Sequence, residues 1–396
     1  MSTAPDDVLV TGYGLLTGHG AGDAALRDGV FAGNAAFRPV DRFATGRFRS
    51  RTAATARELP SAPGTRENPG PPDQRAALVA CARAALGMAG LEEPRHADVL
   101  LGTQGDHTGV TAFWSGGGSA AVPGIAESLP AALTGLVADD LGVSGRRLAF
   151  VNACVASTNA LVHGARLIRA GRAGIVLCGG AYLVEPEFFA KFDSGRAFAA
   201  DGRVRPFSAE RQGLLLGDGA AVLVLESGSG ARARGAQPLA RLSGWGMAAD
   251  AHHVCHPHPE GTGMARAISA ALRDAGAAPE GVDYVNAHGT GTKINDPAET
   301  SALHRALGPA ARHIPVSSTK STTGHMLEGS GAVEAVIGVY ALLHGILPPT
   351  AGYGSPDPVC DLDWVPNEPR SAAVRRVLSV NAAFGGLNAA IVLERP

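Results

Sequence analysis

A cysteine stands at position 154 in FVNACVASTNALVHGARLIRAG (150–171), between small residues and just ahead of a long apolar run. RLAFVNA reads as a strand ending just before it, and the run after it reads as a helix. A thiol there lies near the positive end of the helix dipole and its free N–H groups, which favours thiolate. The same strand-to-helix corner presents nucleophiles in other enzymes. Taken alone, Cys154 also fits a small packed core residue. In VDYVNAHGTGTKINDPAET (282–300) a strand delivers His288 into a turn of glycines and threonines too small to bury it. The hydroxyls of Thr290 and Thr292 could hold a polar substrate arm. In SSTKSTTGHMLEGSGAVEAV (317–336) Lys320 and His325 precede a helix that carries Glu334. Either histidine alone reads as a satisfied turn residue. Two such turns with a cysteine at a third point to a Cys/His nucleophilic site. In VNAAFGGLNAAIVL (380–393) the pair Gly385–Gly386 follows Phe384, so a backbone N–H could approach a reacting carbonyl; an ordinary hairpin turn is the other reading.

Elements of fixed direction must bring these turns together. Short β-type runs (DVLVTGYG, ADVLLGT, RLAFVNA, GIVLCGG, AAVLVLES, then PLARLSGWG, VDYVNAHG, IPVSSTK and NAAIVLER) alternate with longer helical stretches. Continuous apolar strands need helices on both faces, so the pattern predicts α/β layers around buried sheets. ESGSGARARGAQ (226–237) reads as a linker near the midpoint, dividing the chain into halves 1–235 and 236–396. Each half has a strand, a polar Gly-rich turn and a long Ala/Val/Leu helix, 154–170 in the first and 329–345 in the second. Residues 51–75, rich in Pro and Gly, read as an irregular surface loop.

Composition narrows the function classes. With 34 Lys+Arg against 36 Asp+Glu in 396 residues, charge does not point to nucleic acid. Lysine is scarce, occurring only at 191, 293 and 320. No stretch has the ~18 uninterrupted apolar residues of a membrane span. The acidic start MSTAPDDVLVTGYG is unlike a signal peptide, and five scattered cysteines without CxxC spacing suit a reducing compartment. The expectation is a cytoplasmic protein. DAHHVCHPHPEG (250–261) imitates a metal cluster, but neighbouring residues of an extended run point apart and two prolines stiffen it, so no metal site is expected. VTGYGLLTGHGAG does not match a dinucleotide fingerprint.

Together, VLVTGYGLLTGHG, RPFSAERQGLLLGDGAAVLVLE, AHGTGT, STKSTTGHMLEGSGAVEA and PPTAGYGSPDPVCDLDWVPNEPR resemble the β-ketoacyl synthases, the condensing enzymes of fatty acid and polyketide assembly. The resemblance spans nearly the whole chain. It implies a thiolase-like five-layered αβαβα fold of two similar halves, the first carrying the nucleophile and the second both histidines, normally as a dimer. It implies Cys154 as acyl acceptor, and His288 and His325 facing the malonyl thioester carbonyl. Lys320 and Glu334 match supporting charged positions. Phe384 matches a gating aromatic whose N–H joins that of Cys154 in an oxyanion hole. Thr290 and Thr292 match phosphopantetheine-binding hydroxyls, Arg196 a residue that meets the carrier protein, and Gly105 a position where side-chain size limits chain length. No metal or redox cofactor is implied; substrates ride on the 4'-phosphopantetheine of an acyl carrier protein.

The chain departs from the family pattern in places. NACVAS replaces the usual Thr-Ala-Cys-Ser/Thr-Ser, Ser208 and Gln212 stand for aspartates, Leu214 for Phe, and Leu387 and Cys255 for Thr. Asp106 and His107, beside Gly105, are unusual and would suit oxygenated or unsaturated chains. The expectation is therefore a discrete type II ketosynthase of a polyketide or related specialised pathway, as a homodimer or paired with a chain-length-factor-like subunit. A housekeeping fatty acid synthase II is the neighbouring reading. A catalytically silent partner subunit would lack the cysteine, whereas a non-elongating acyltransferase or cyclase would keep it but ignore malonyl groups.

Overall fold

The computed structural model describes residues 6–60, 73–92, 94–115, 118 and 125–396. Ten strands form one continuous path. In the first half they are β1 (Val8–Thr17), β2 (Asp98–Gly102), β3 (Arg147–Phe150), β4 (Ile175–Tyr182) and β5 (Gly219–Ser227). In the second they are β6 (Ala240–Ala249), β7 (Tyr284–Asn286), β8 (Val316–Ser317), β9 (Arg376–Ala383) and β10 (Leu387–Glu394). The spatial order is β3-β2-β4-β5-β1 in one half and β8-β7-β9-β10-β6 in the other. Numbered within each half, both read 3-2-4-5-1. The senses also repeat: the two outer pairings of each half are parallel, the two inner ones antiparallel. The halves meet where β1 pairs briefly with β6, Leu9 opposite Arg241 and Val10 opposite Ala240.

The helices complete the layers. α1 (Gln74–Ala89) and α2 (Pro130–Asp140) cover the outer face of the first half. α5 (Thr262–Asp274) and α6 (Asn295–Leu307) cover that of the second. Between the sheets lie α3 (Ala156–Arg169) and α7 (Ser330–His344), packed on each other, their apolar side chains in the largest buried cluster. This is the α/β, thiolase-like, five-layered arrangement expected. α7 is buried over nearly its whole length, because a helix between two sheets has no solvent face, and its apolar content shows no amphipathic stripe. α4 (Pro186–Ser194) follows β4.

Two expectations change. The linker at 226–237 contains a short helix, Gly228–Ala233, because the Ser227 side chain caps the Gly230 N–H. Of the surface loop 51–75, residues 61–72 lie outside the described residues, while Thr52–Ala53 pair with Arg38–Pro39 as a two-residue strand. No helix among the described residues is long and apolar enough to cross a membrane.

Candidate active site

β3 ends at Phe150, and Cys154 sits in a short 3-10 turn, Ala153–Val155, that feeds α3. Ala153 holds φ at 54°, a left-handed conformation that a residue with a Cβ adopts only under strain. The strained corner expected from the sequence is present, one residue ahead of the nucleophile. The thiolate expectation is not met. Cys154 is buried among Tyr182, Phe189, Phe192, Leu214 and Leu327. Burial pushes its thiol above the ordinary cysteine range, and Glu328 adds to that, outweighing the helix end and Lys320. At rest it is a neutral thiol.

His288 leaves the end of β7 and His325 the turn before α7; their rings lie 5.3 Å apart, nearly perpendicular. Both are buried, and burial followed by the charge of Lys320 holds each well below the ordinary histidine range. Both are therefore neutral, each with one ring N–H to donate. His325 Nδ1 lies 3.1 Å from Ser330 Oγ, which accepts the Met326 N–H at 3.2 Å and keeps its own proton free to donate to Nδ1. Donation in that sense puts the His325 proton on Nε2. His288 is fixed through its backbone: the N–H groups of His288 and Gly289 donate to the two carboxylate oxygens of Glu299 on α6, at 2.6 and 2.7 Å.

Lys320 and Glu334 form an ion pair buried on both sides. Asn381, on β9, extends it, donating to Glu334 Oε2 at 2.5 Å and accepting from Thr158 Oγ1 at 2.6 Å. Thr158 is one turn beyond Cys154 on α3. A chain of buried polar contacts thus runs from the nucleophile's helix, through the opposite sheet, to the lysine that keeps both histidines neutral. Asn381, Thr158, Glu299 and Ser330 were not singled out in the sequence. The signal for Glu299 was there, in the acidic residues of NDPAET directly after the His288 turn; Asn381 gives none.

The other expected residues fall as follows. The Thr290 and Thr292 hydroxyls face each other at 3.0 Å, and Asp296 holds their turn by accepting the Gly291 N–H. Phe384 is half exposed and stacks on Phe192 of the cysteine cluster at 5.8 Å. The Gly385 N–H is not a spare donor: it bonds the Val254 carbonyl at 2.7 Å. Arg196 is exposed just after α4, with φ at 55°. Gly105 is small for a reason other than pocket depth. A Cβ there would meet the Ser128 carbonyl oxygen at 2.2 Å, so backbone packing excludes it. The Asp106 carboxylate accepts the Gln74 and Thr108 N–H groups and so caps two helix starts.

His107 Nδ1 lies 3.0 Å from Glu187 Oε2 and 3.6 Å from Glu185 Oε1. Among the described residues this is the one His/carboxylate group whose ligating atoms lie within 4.8 Å of one another. In the histidine-rich segment the ring nitrogens are turn acceptors: His253 Nδ1 takes the Cys255 and His256 N–H groups, and His258 Nδ1 that of Glu260.

A thiol, two neutral imidazole donors and a buried cation at converging turns suit acyl transfer through a thioester followed by stabilisation of an enolate. Comparison with known proteins agrees. The family models "Beta-ketoacyl synthase, N-terminal domain" and "Beta-ketoacyl synthase, C-terminal domain" match residues 5–231 and 239–354. The tetracenomycin polyketide synthase ketoacyl synthase alpha subunit of Streptomyces glaucescens is 38% identical over 413 residues, covering 98% of this chain and 97% of that one. A 3-oxoacyl-[acyl-carrier-protein] synthase 2 of a Synechocystis strain is 43% identical over 268 residues, covering 66% of this chain and 64% of the other. The solved ishigamide ketosynthase/chain length factor superposes with a TM-score of 0.91 at 34% identity, over 99% of this chain and 100% of that one. With both family domains matched in order around one Cys/His/His site, the chain belongs to the β-ketoacyl synthase family of condensing acyltransferases.

Proposed function

We propose that this enzyme is the ketosynthase of a type II polyketide or related specialised pathway, extending an acyl chain on an acyl carrier protein. The observation that carries the proposal is the neutral His288–His325 pair beside Lys320, in one buried site with Cys154. The Cys154 sulfur attacks the carrier-bound thioester, its proton passes to the departing pantetheine thiol, and the acyl group is held as a new thioester. The malonyl carrier then takes the vacated arm site, with its thioester oxygen between the two imidazoles. As CO₂ leaves, the bond electrons form an enolate, whose oxygen the His288 and His325 N–H groups stabilise; one preorganised donor of this kind contributes ~3–4 kcal/mol. The enolate carbon attacks the acyl-Cys154 carbonyl, the backbone N–H groups of Cys154 and Phe384 receive the second oxyanion, and its collapse expels the Cys154 sulfur as a thiolate, which takes one proton from water to restore the resting thiol. These steps require no metal or redox cofactor. Thr290 and Thr292 hold the phosphopantetheine arm, Phe384 covers the entrance, and Arg196 meets the acidic carrier.

The relatives favour the polyketide assignment over housekeeping fatty acid synthesis, since the alpha-subunit match covers the chain from end to end. The partner is a second subunit of the same fold, identical or chain-length-factor-like, as the ishigamide ketosynthase has. The test is intact-mass analysis with an acyl carrier thioester, alone and then with malonyl carrier, against Cys154→Ala. An adduct that malonyl carrier discharges into a β-ketoacyl product two carbons longer supports the reading. An adduct that malonyl cannot discharge turns it to acyl transfer or cyclisation.

A further inference from the structure

The lining beside Cys154 has two characters. One side is apolar, with Phe189, Phe192 and Phe198 packed around the thiol. The other is polar and short of partners. The 3-10 turn Leu327–Gly329 packs on the cysteine's own turn and puts Glu328 there, 3% exposed. Its side chain is held by the neutral Gln104 amide, and Lys191, the cation that reaches it, is already paired with Glu187 at 2.6 Å. Tyr182, in the same cluster as Cys154, is 2% exposed, and its hydroxyl has no hydrogen-bond partner. Glu185, three residues on and 4% exposed, has no hydrogen bond at Oε1, which lies 3.6 Å from His107 Nδ1. The Leu327–Gly329 turn also packs on β4, whose last residue is Tyr182, so these groups share one region. Burial holds Glu328 up to about 7 and Glu185 up to about 8.

Buried polar atoms without partners are costly, and a fold keeps them where something else completes them. An alkyl chain on Cys154 would do the opposite, removing any water and leaving two carboxyls and a phenol dry. Resting on the ketosynthase reading above, we propose that the chain held on Cys154 carries a hydrogen-bond donor, a hydroxyl or an ammonium group, which Glu328, Glu185 and Tyr182 receive. A hydroxyl can donate to a carboxyl oxygen and accept from the Tyr182 O–H, and an ammonium can pair with a carboxylate, whereas an alkyl chain can do neither. A site built to bond such a group discriminates strongly against the analogue that lacks it.

The experiment compares hexanoyl, β-hydroxyhexanoyl, δ-hydroxyhexanoyl and ω-aminohexanoyl pantetheine thioesters as acyl donors to Cys154, following adduct formation by intact mass. The expected result is faster acylation by at least one donor-bearing chain than by hexanoyl, by about tenfold or more, the size of one hydrogen bond to a charged group. Which chain is preferred separates hydroxyl from ammonium. Glu328→Leu should abolish or reverse the preference, and Tyr182→Phe should reduce it. Glu328→Gln keeps the shape should the leucine variant fail to fold; it should weaken the ammonium preference more than the hydroxyl one. Equal or better acylation by hexanoyl in the unaltered enzyme, or a preference that survives both Glu328 variants, overturns the proposal. Hexanoyl adducts that malonyl carrier still elongates would then leave the condensing function standing; absence of any adduct would count against both.

Discussion

The protonation of the site rests on two neighbours of the histidines. Ser330 Oγ sits 3.1 Å from His325 Nδ1, and as donor to that nitrogen it would bias the N–H to Nε2. Ser330→Ala removes that bias and lets the wrong tautomer compete. The expected outcome is a fall in malonyl carrier decarboxylation of about tenfold with little change in KM, milder than the ~10²–10³ for loss of a whole oxyanion donor. Ser330→Thr should restore most of it. Burial, and after it the charge of Lys320, holds both histidines below their ordinary value, so they stay neutral in mild acid. The acid limb of the pH–rate profile should therefore lie below the ordinary histidine pKa of ~6.5. Removing the cation makes protonation easier, raises both pKa values and moves that limb to higher pH. Lys320→Met with Glu334→Gln is the suitable variant, since Lys320→Met alone would strand a buried carboxylate. An unmoved limb in the double variant would refute this role.

Among the elements, β3 stands out as an exposed edge strand. It terminates the sheet, and Leu148 and Val151 are exposed along it. Leu129, 62% exposed, lies at the start of α2, which packs on β3. An open apolar edge is a template for pairing with another chain, and protein folds seldom leave one bare. For the pairing proposed above this edge is the natural seat of the second subunit, and the turn bearing Cys154 begins three residues past its end. Leu148→Lys should convert the dimer to monomer in light scattering and lower condensation, because the turn loses its support. A dimer that withstands both Leu148→Lys and Val151→Lys would place the interface elsewhere.

At the scale of the whole molecule, the two halves repeat one topology yet share one core. α3 belongs to the first half and α7 to the second, and their buried faces lie in a single cluster between the sheets. Thr158–Asn381 and the Arg169–Asp274 ion pair also cross between halves. Units that share a core unfold together. Calorimetry should give one cooperative transition, and residues 1–235 produced alone should not show native-like protection of α3 in hydrogen exchange. Two separate transitions would show the halves to be independent.

The sequence by itself determined the chemistry and the class of fold. Cys154, His288, Lys320 and His325 each follow a short β-run, and strand direction confines such turns to one end of a sheet. The doubled pattern of strand, turn and apolar helix was readable for the same reason: periodicity and turn residues are local. What only the tertiary structure decided depends on groups far apart in the chain. The thiol is neutral because side chains from several segments exclude water from Cys154, which the helix-dipole argument could not include. Gly105 is required by the Ser128 backbone, and Asp106 by two helix ends. Asn381 joins Thr158 to Glu334 only because β9 packs on α7, which in turn packs on α3. Glu328 is an ordinary turn residue in one dimension; the fold makes it a buried carboxyl beside the nucleophile. Residue type and spacing specify which groups can react, while burial and electrostatic coupling, which set their protonation states, exist only once distant segments pack.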